Sequence, residues 1–177
     1  MKVACLLSNN FEELEAVGTI ALLGRAGITI DIYSLHQHQA TGRFQLTFDK
    51  LLNIKELNHD DYEALFIPGG PHFVELEENE QVKEIIQYFF HANKIVSAIC
   101  AAPTILGHMG FLKGKKYTCF TSMNEDFGGT YLGQYAVVDG NLITGRSAAA
   151  SIDFAFALIE KLSGKEKADE IKRSIYY

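Results

Sequence analysis

Cysteine, long apolar runs and excess positive charge are scarce or missing in this sequence. The three cysteines, at positions 5, 100 and 119, are odd in number and include no close pair, which argues against a disulfide framework or a zinc site. Such cysteine usage is typical of a reducing compartment, so we expect a cytoplasmic protein. No segment approaches the roughly 20 apolar residues that a membrane span requires.

The charge balance is acidic, with 16 Lys and Arg residues against 22 Asp and Glu residues and a net charge of −6. No basic stripe is present, which argues against a nucleic-acid or membrane partner. The N-terminus, MKVACLLSNN, turns polar after a short apolar run and shows no cleavage site. We therefore predict a first strand there and not a signal peptide.

The composition fits one soluble globular domain, with 47% hydrophobic and 21% charged residues in a chain of 177. No repeat, linker or low-complexity segment divides the sequence. Residues 1–177 are accordingly predicted to form a single domain.

Apolar periodicity predicts alternating strands and helices. A strand at Lys2–Leu7, a helix at Phe11–Ala26 and a strand at Ile28–Tyr33 form a β-α-β unit. Further strands are predicted at Glu63–Ile67, Ile95–Ile99 and Lys116–Phe120, and a hairpin at Tyr135–Val138 and Leu142–Thr144. Further helices are predicted at Asn79–Asn93, Ala101–Met109 and Ala148–Leu162, with a helical tail after Gly164. Gly42–Phe48 and Leu51–Leu57 are predicted to form a short strand pair and a loop. This order is typical of a three-layer α/β fold with a mostly parallel sheet, which binds ligands at the carboxyl ends of its strands.

Cys100 lies at the joint between a strand buried on both faces and a helix with a proline in its first turn. Its neighbours are small, as in a nucleophile elbow. A helix N-terminus favours the thiolate. Two interpretations stay open at this point: a reactive nucleophile, or a core cysteine at the end of a strand.

Acidic and glycine-rich segments follow two other strands. Glu12 and Glu13 open the first helix and are explained by its dipole. Glu15 lies one turn further and is predicted to face the sheet edge, where partial burial raises the pKa of its carboxyl and lets it hydrogen-bond a thiolate. Pro68–Pro71, sequence PGGP, is either a plain turn or a loop whose N–H groups approach an oxyanion.

Two arginines and one histidine complete the candidates. Arg43 and Arg146 are either anion clamps or solvated side chains. His72 follows the glycine loop and is the one histidine predicted near the cleft. No group of histidines and carboxylates has metal-ligand spacing, so no metal is expected.

Several of these motifs together resemble the ThiJ/PfpI superfamily, over nearly the whole chain. They are NFEELEA after the first strand, IPGG after a middle strand, AICAAP at the elbow and ITGR…FAFALIEKL near the end. The branch that the chain most resembles contains the Parkinson-disease-associated protein deglycase and its bacterial relatives. The resemblance implies a flavodoxin-like α/β/α sandwich and a homodimer. We expect no cofactor.

The resemblance also assigns roles to residues. It implies that Cys100 is the nucleophile, on a strained backbone, and that Glu15 is the buried acid hydrogen-bonded to its sulfur. The backbone of Gly69, Gly70 and Ala101 is expected to form an oxyanion site. Arg43 and Arg146 fall where the family often has pocket arginines.

The chain departs from the family pattern at two informative positions. Phe120 stands where several members have a pocket histidine, which puts a histidine-dependent mechanism in doubt. Ala101 stands where the protease branch has a histidine directly after the nucleophile, which disfavours a Cys–His peptidase.

The leading hypothesis is a cysteine-dependent enzyme acting on small reactive carbonyls, such as methylglyoxal or its early adducts on amines, to give lactate. A second hypothesis is a redox-sensing stress protein or chaperone with an oxidisable Cys100 and no turnover. A third is an amidase or peptidase with His72 as the base. A flavin-binding protein is disfavoured because no phosphate-cradling loop follows the first strand.

Overall fold

A computed structural model describes residues 1–177, and strands and helices alternate along most of that length. The strands are β1 (Lys2–Leu7), β2 (Thr29–Ser34), β3 (Ala40–Thr41), β4 (Thr47–Phe48), β5 (Leu52–Asn53), β6 (Ala64–Ile67), β7 (Ile95–Ile99), β8 (Lys116–Tyr117), β9 (Thr130–Tyr131), β10 (Ala136–Asp139) and β11 (Leu142–Gly145). The helices are α1 (Glu13–Arg25), α2 (Phe73–Glu78), α3 (Glu80–His91), α4 (Ala102–His108), α5 (Ser151–Ser163) and α6 (Lys165–Ser174). No helix is both long and apolar enough to cross a membrane.

Seven strands form the central sheet, in the order β10-β11-β7-β6-β1-β2-β5. Every pair within it is parallel except β10 with β11, which form an antiparallel hairpin at one edge. The hairpin turn is Gly140–Asn141, and Gly140 has a φ of +62°. The mostly parallel sheet that the sequence predicts is confirmed.

Helices cover both faces of the sheet, because its central strands are apolar on both sides. Along β1, Val3 and Cys5 pack with α1, α5 and α6, whereas Ala4 and Leu6 pack with α2, α3 and α4. This alternation follows from the two-residue period of a strand. The result is the three-layer α/β/α sandwich expected from the sequence.

The structure departs from the predictions at one strand and one helix. The strand expected at Lys116–Phe120 ends at Tyr117 and pairs with β9 in a separate two-stranded sheet. It ends early because the chain then turns toward the central sheet, where the N–H of Phe120 donates to the carbonyl of Cys100 at 2.7 Å. Helix α2 was not predicted, since its six residues are too few for a periodic pattern to emerge.

The carboxyl ends of β1, β6, β7 and β11 lie side by side at the centre of the sheet. The segments that follow them are, respectively, the loop into α1, the PGGP loop, Cys100 and Arg146. The fold therefore gathers the candidate residues at one edge, as the topology of such sheets requires.

Candidate active site

Cys100 joins β7 to α4 in a left-handed backbone conformation, with a φ of +64°. This conformation costs a residue other than glycine about 1–2 kcal/mol, so the surrounding structure must enforce it. The N–H of Cys100 donates to the carbonyl of Gly145 at 2.9 Å, and its own carbonyl accepts the N–H of Phe120. The strained turn implied by the resemblance is present, and neighbours on both sides hold it.

The PGGP loop approaches Cys100 so closely that only glycine fits at its centre. A Cβ on Gly69 would lie 2.6 Å from the Cβ of Cys100. Gly70 has a φ of +101°, and a Cβ there would lie 2.4 Å from the backbone nitrogen of Glu12. The loop is therefore part of the site and not a plain turn.

Glu15 is fully buried on the first turn of α1, against the side chain of Cys100. The N–H of Gly69 donates to its Oε2 at 2.8 Å, whereas Oε1 has no partner with regular hydrogen-bond geometry. Burial raises the pKa of this carboxyl to about 7, against the opposing hydrogen bonds from Cys100 and Gly69. Glu15 therefore exchanges its proton near neutral pH, as predicted.

Burial also raises the pKa of the Cys100 thiol, and the negative charge of an ionised Glu15 raises it further. The N–H of Ala101 acts in the opposite direction. The helix start thus favours the thiolate as predicted, but burial and the charge of Glu15 outweigh it. Because two negative charges in contact are unfavourable, the pair carries at most one near neutral pH, and the sulfur ionises most readily while Glu15 holds a proton.

Two backbone donors are free to stabilise an oxyanion. The N–H groups of Gly70 and Ala101 donate to no backbone or side-chain oxygen, and both residues line the pocket beside Cys100. The N–H of Ala101 also favours the charged form of the Cys100 sulfur. The N–H of Gly69 is occupied by Glu15. Gly69 is therefore a positioning residue and not the oxyanion donor that the sequence suggested.

The pocket beside Cys100 has a volume of about 440 Å³. It is lined by Glu12, Glu15, Arg43, Gly70, Pro71, Phe73, Cys100, Ala101, Phe120, Met123, Ser147, Ala148 and Ala149. Six of these were expected from the sequence. No group of three or more His, Cys, Asp or Glu side chains is placed to hold a metal ion.

The two candidate arginines have different environments. Arg43 lines the pocket, and its Nη1 lies 3.5 Å from Oε2 of Glu12. Arg146 is not among the lining residues: its Nη1 donates to the carbonyl of Gly133 at 3.0 Å, and its guanidinium stacks over Tyr135. The expectation of a second pocket arginine is therefore not met within this chain.

His72 is buried and has no free ring nitrogen. Its Nδ1 accepts the N–H of Ser8 at 3.1 Å, and its Nε2 donates to the carbonyl of Pro68 at 2.8 Å. Burial lowers the pKa of this imidazole to about 4, so it is neutral at physiological pH. The prediction of a catalytic base is wrong, because the ring fastens the PGGP loop to the end of β1.

Sequence reasoning missed several residues of the pocket wall. Phe73 stands three residues after Gly70, and its place beside the glycine loop was a usable signal. Met123 gave none, because it lies in a segment without apolar periodicity. Glu12 was explained by the helix dipole, but the structure places it in the pocket with Arg43.

The chain is similar to a known protein family over most of its length. A model described as the DJ-1/PfpI family matches residues 1–161. The chain is 32% identical to deglycase PfpI of Pyrococcus furiosus over 149 residues, which are 82% of this chain and 90% of that protein. It is also 32% identical to protein DJ-1 homolog B of Arabidopsis thaliana over 95% of its own length, but spans only 39% of that longer protein.

Solved structures show the same fold. DJ-1beta of Drosophila melanogaster superposes with a TM-score of 0.92 at 27% identity, covering 99% of this chain and 97% of that one. DJ-1 of Toxoplasma gondii, in an oxidized form, superposes with a TM-score of 0.93 at 25% identity, covering 99% and 98%.

Proposed function

Since this chain belongs to the DJ-1/PfpI family, we propose that it is a cysteine-dependent enzyme that converts reactive dicarbonyls, free or as early adducts on amines, to hydroxy acids. A relative that the chain covers almost completely is named a deglycase. The single observation that carries the proposal is the contact between strained Cys100 and a carboxyl that exchanges its proton near pH 7, beside two free N–H donors.

The reaction begins with a thiolate and an aldehyde. The thiol proton of Cys100 passes to solvent, and the thiolate adds to the aldehyde carbon of methylglyoxal. The N–H groups of Gly70 and Ala101 stabilise the resulting alkoxide, and the Glu15 carboxyl protonates it to a hemithioacetal and becomes a carboxylate. The preceding ionisation is easiest while Glu15 is protonated, because a neutral carboxyl can donate a hydrogen bond to the sulfur.

Glu15 then moves a proton between adjacent carbons. Its carboxylate removes the proton from the former aldehyde carbon, and the carboxyl returns a proton to the neighbouring carbon, so that an enediol becomes a thioester. One carbon is oxidised while its neighbour is reduced, and no external oxidant is required. Water cleaves the thioester to lactate and regenerates the thiol; an adduct releases its amine as well.

The test is lactate formation by the wild-type protein. Methylglyoxal is supplied either alone or after brief equilibration with N-acetyl-lysine, and NMR follows lactate and free amine. We expect lactate in both cases. If the amine is released faster than free methylglyoxal is consumed, the adduct is the substrate. Absence of lactate, with Cys100 shown to be unmodified by intact mass, would contradict the proposal.

A second candidate function is peroxide sensing at the same sulfur. It is favoured by the position of Cys100 in an open pocket beside a protonatable carboxyl, and the related Toxoplasma protein was solved in an oxidized form. Mild hydrogen peroxide is then expected to add two oxygens to Cys100 alone, giving a sulfinate. Oxidation together with negligible dicarbonyl turnover identifies sensing as the function.

We further propose that the protein acts in the cytoplasm as a homodimer. Leu14 and Val17 of α1 and Ile152 of α5 are exposed apolar side chains on two packed helices. Light scattering is expected to give twice the chain mass of 19.7 kDa. Leu14→Glu is expected to reduce it to a monomer, because a charge would be buried in the interface; a monomeric wild-type protein at micromolar concentration overturns this proposal.

A further inference from the structure

We infer that the pocket selects α-oxoaldehydes that carry an aryl group next to the ketone, and that Phe120 determines this specificity. The inference rests on the proposed function, whose substrate class it narrows. Two turns of the chain each place an aromatic side chain in the pocket. Phe120 is hydrogen-bonded to the carbonyl of Cys100, and Phe73 is hydrogen-bonded to the carbonyl of Gly70.

The first wall is the turn at Phe120–Met123. The N–H of Phe120 donates to the carbonyl of Cys100 at 2.7 Å, which fixes the residue beside the nucleophile. The N–H of Met123 donates to the carbonyl of Phe120 at 2.8 Å and closes the turn, so both side chains line the pocket. Phe120 is 42% exposed, so part of its ring is open to solvent or to a ligand.

The second wall is the start of α2. The N–H of Phe73 donates to the carbonyl of Gly70 at 3.1 Å, so this ring is attached to the residue that offers the oxyanion donor. Phe73 and Pro71 both line the pocket. A substrate held between Cys100 and Gly70 therefore lies between two aromatic rings, Phe120 beside Cys100 and Phe73 beside Gly70.

Polar and apolar groups are segregated within the pocket. The reactive end of a substrate meets Cys100, Glu15 and the N–H groups of Gly70 and Ala101. The walls are rings, a thioether and small side chains, of which only Ser147 carries a hydroxyl. The remaining charges, on Glu12 and Arg43, offset each other across 3.5 Å. Apart from the Ser147 hydroxyl, nothing in the walls offers a partner to a polar substituent on the far side of the ketone.

Size favours the same substrate class. A pocket of about 440 Å³ lies within the range of sites that bury much larger ligands than a three-carbon dicarbonyl. A methyl group leaves Phe120 and Phe73 in water, whereas an aryl group covers them and excludes that water. The aryl substrate thus gains binding from the walls without any change in the reacting groups.

The experiment compares kcat/KM for phenylglyoxal, which gives mandelate, with kcat/KM for methylglyoxal. In Phe120→Ala the ratio of the two values is expected to fall about tenfold, the scale of losing one apolar contact surface in a specificity pocket, whereas Phe120→Leu retains most of it. The matched control is Val74→Ala, which truncates an exposed residue of α2 outside the pocket and is expected to leave the ratio unchanged. Intact mass after each assay verifies that no arginine has been modified by the dicarbonyl.

An equal loss on both substrates, or an unchanged ratio, in Phe120→Ala would overturn the inference. If the wild type turns over neither substrate, the proposed function is excluded. The preference of the pocket for an aryl group is then tested by the binding of the two hydroxy acids, mandelate and lactate. Calorimetry is then expected to give mandelate a Kd at least about tenfold below that of lactate, and a weaker preference in Phe120→Ala. Equal affinities for the two hydroxy acids would show that the walls do not select an aryl group.

Discussion

Replacement of Cys100 by serine is expected to lower the rate of lactate formation from methylglyoxal by about 10³-fold or more. A serine hydroxyl is far less acidic than a thiol, and no histidine is available in the pocket to take its proton, because both nitrogens of His72 are bonded to backbone groups. The two backbone hydrogen bonds of residue 100 do not involve the sulfur. The fold is therefore retained, and the loss reports the nucleophile.

The matched control is Cys5→Ala. Cys5 is a fully buried thiol of β1, in the apolar layer beneath α1 and α5, and its loss is expected to lower the melting temperature without affecting turnover per folded molecule. Lactate is followed by NMR at equal concentrations of folded protein. Wild-type lactate formation by Cys100→Ser would exclude covalent catalysis at this residue.

Replacement of Glu15 by glutamine is expected to lower lactate formation by about 10²-fold, because an amide cannot move a proton between carbons. The thiol responds in the opposite way. An amide carries no negative charge to oppose the thiolate, so the pKa of Cys100 falls in Glu15→Gln. Alkylation by iodoacetamide is then expected to begin at lower pH than in the wild type, whose profile also changes slope near pH 7 as Glu15 titrates.

The same variant has a predictable effect on stability. The pKa of Glu15 is raised from 4.5 to about 7 in the folded chain, which costs about 3 kcal/mol of unfolding free energy above neutral pH. The folded state holds this proton more tightly, so wild-type stability is intact below pH 4.5 and declines until pH 7. Glu15→Gln lacks that decline.

Urea unfolding at several pH values measures this difference. The free energy of unfolding of Glu15→Gln relative to wild type is expected to increase from pH 4.5 to pH 7 and then to stay constant. A difference that does not change with pH would show that folding leaves the pKa of Glu15 at its ordinary value, and the proton-transfer role would lose its basis.

The architecture was predictable because the relevant signals are local. Buried strands such as β1 and β7 are continuous apolar runs, and their order with the helices determines the class of fold. Cys100 and Glu15 were also accessible, because the joint between strand and helix and the first helical turn after a strand are defined by short segments. Their positions at the sheet edge then follow from topology.

The remaining errors concern hydrogen bonds between distant segments. Whether the N–H of Gly69 or Gly70 is free depends on a carboxyl more than 50 residues earlier in the chain. Whether His72 is a base depends on Ser8, and the position of Arg146 depends on Gly133 and Tyr135. Periodicity and spacing carry no information about such pairings, so a sequence identifies which residues gather at an edge more readily than what each atom does there.

Two main-chain hydrogen bonds hold the backbone of Cys100, and neither involves the side chain at position 120. The carbonyl of Gly145 accepts the amide N–H of Cys100, and the N–H of Phe120 donates to the carbonyl of Cys100. Every residue type except proline has the backbone N–H that this hydrogen bond requires at position 120. Evolution or design can therefore exchange the side chain at position 120 while the backbone of Cys100 keeps its alignment.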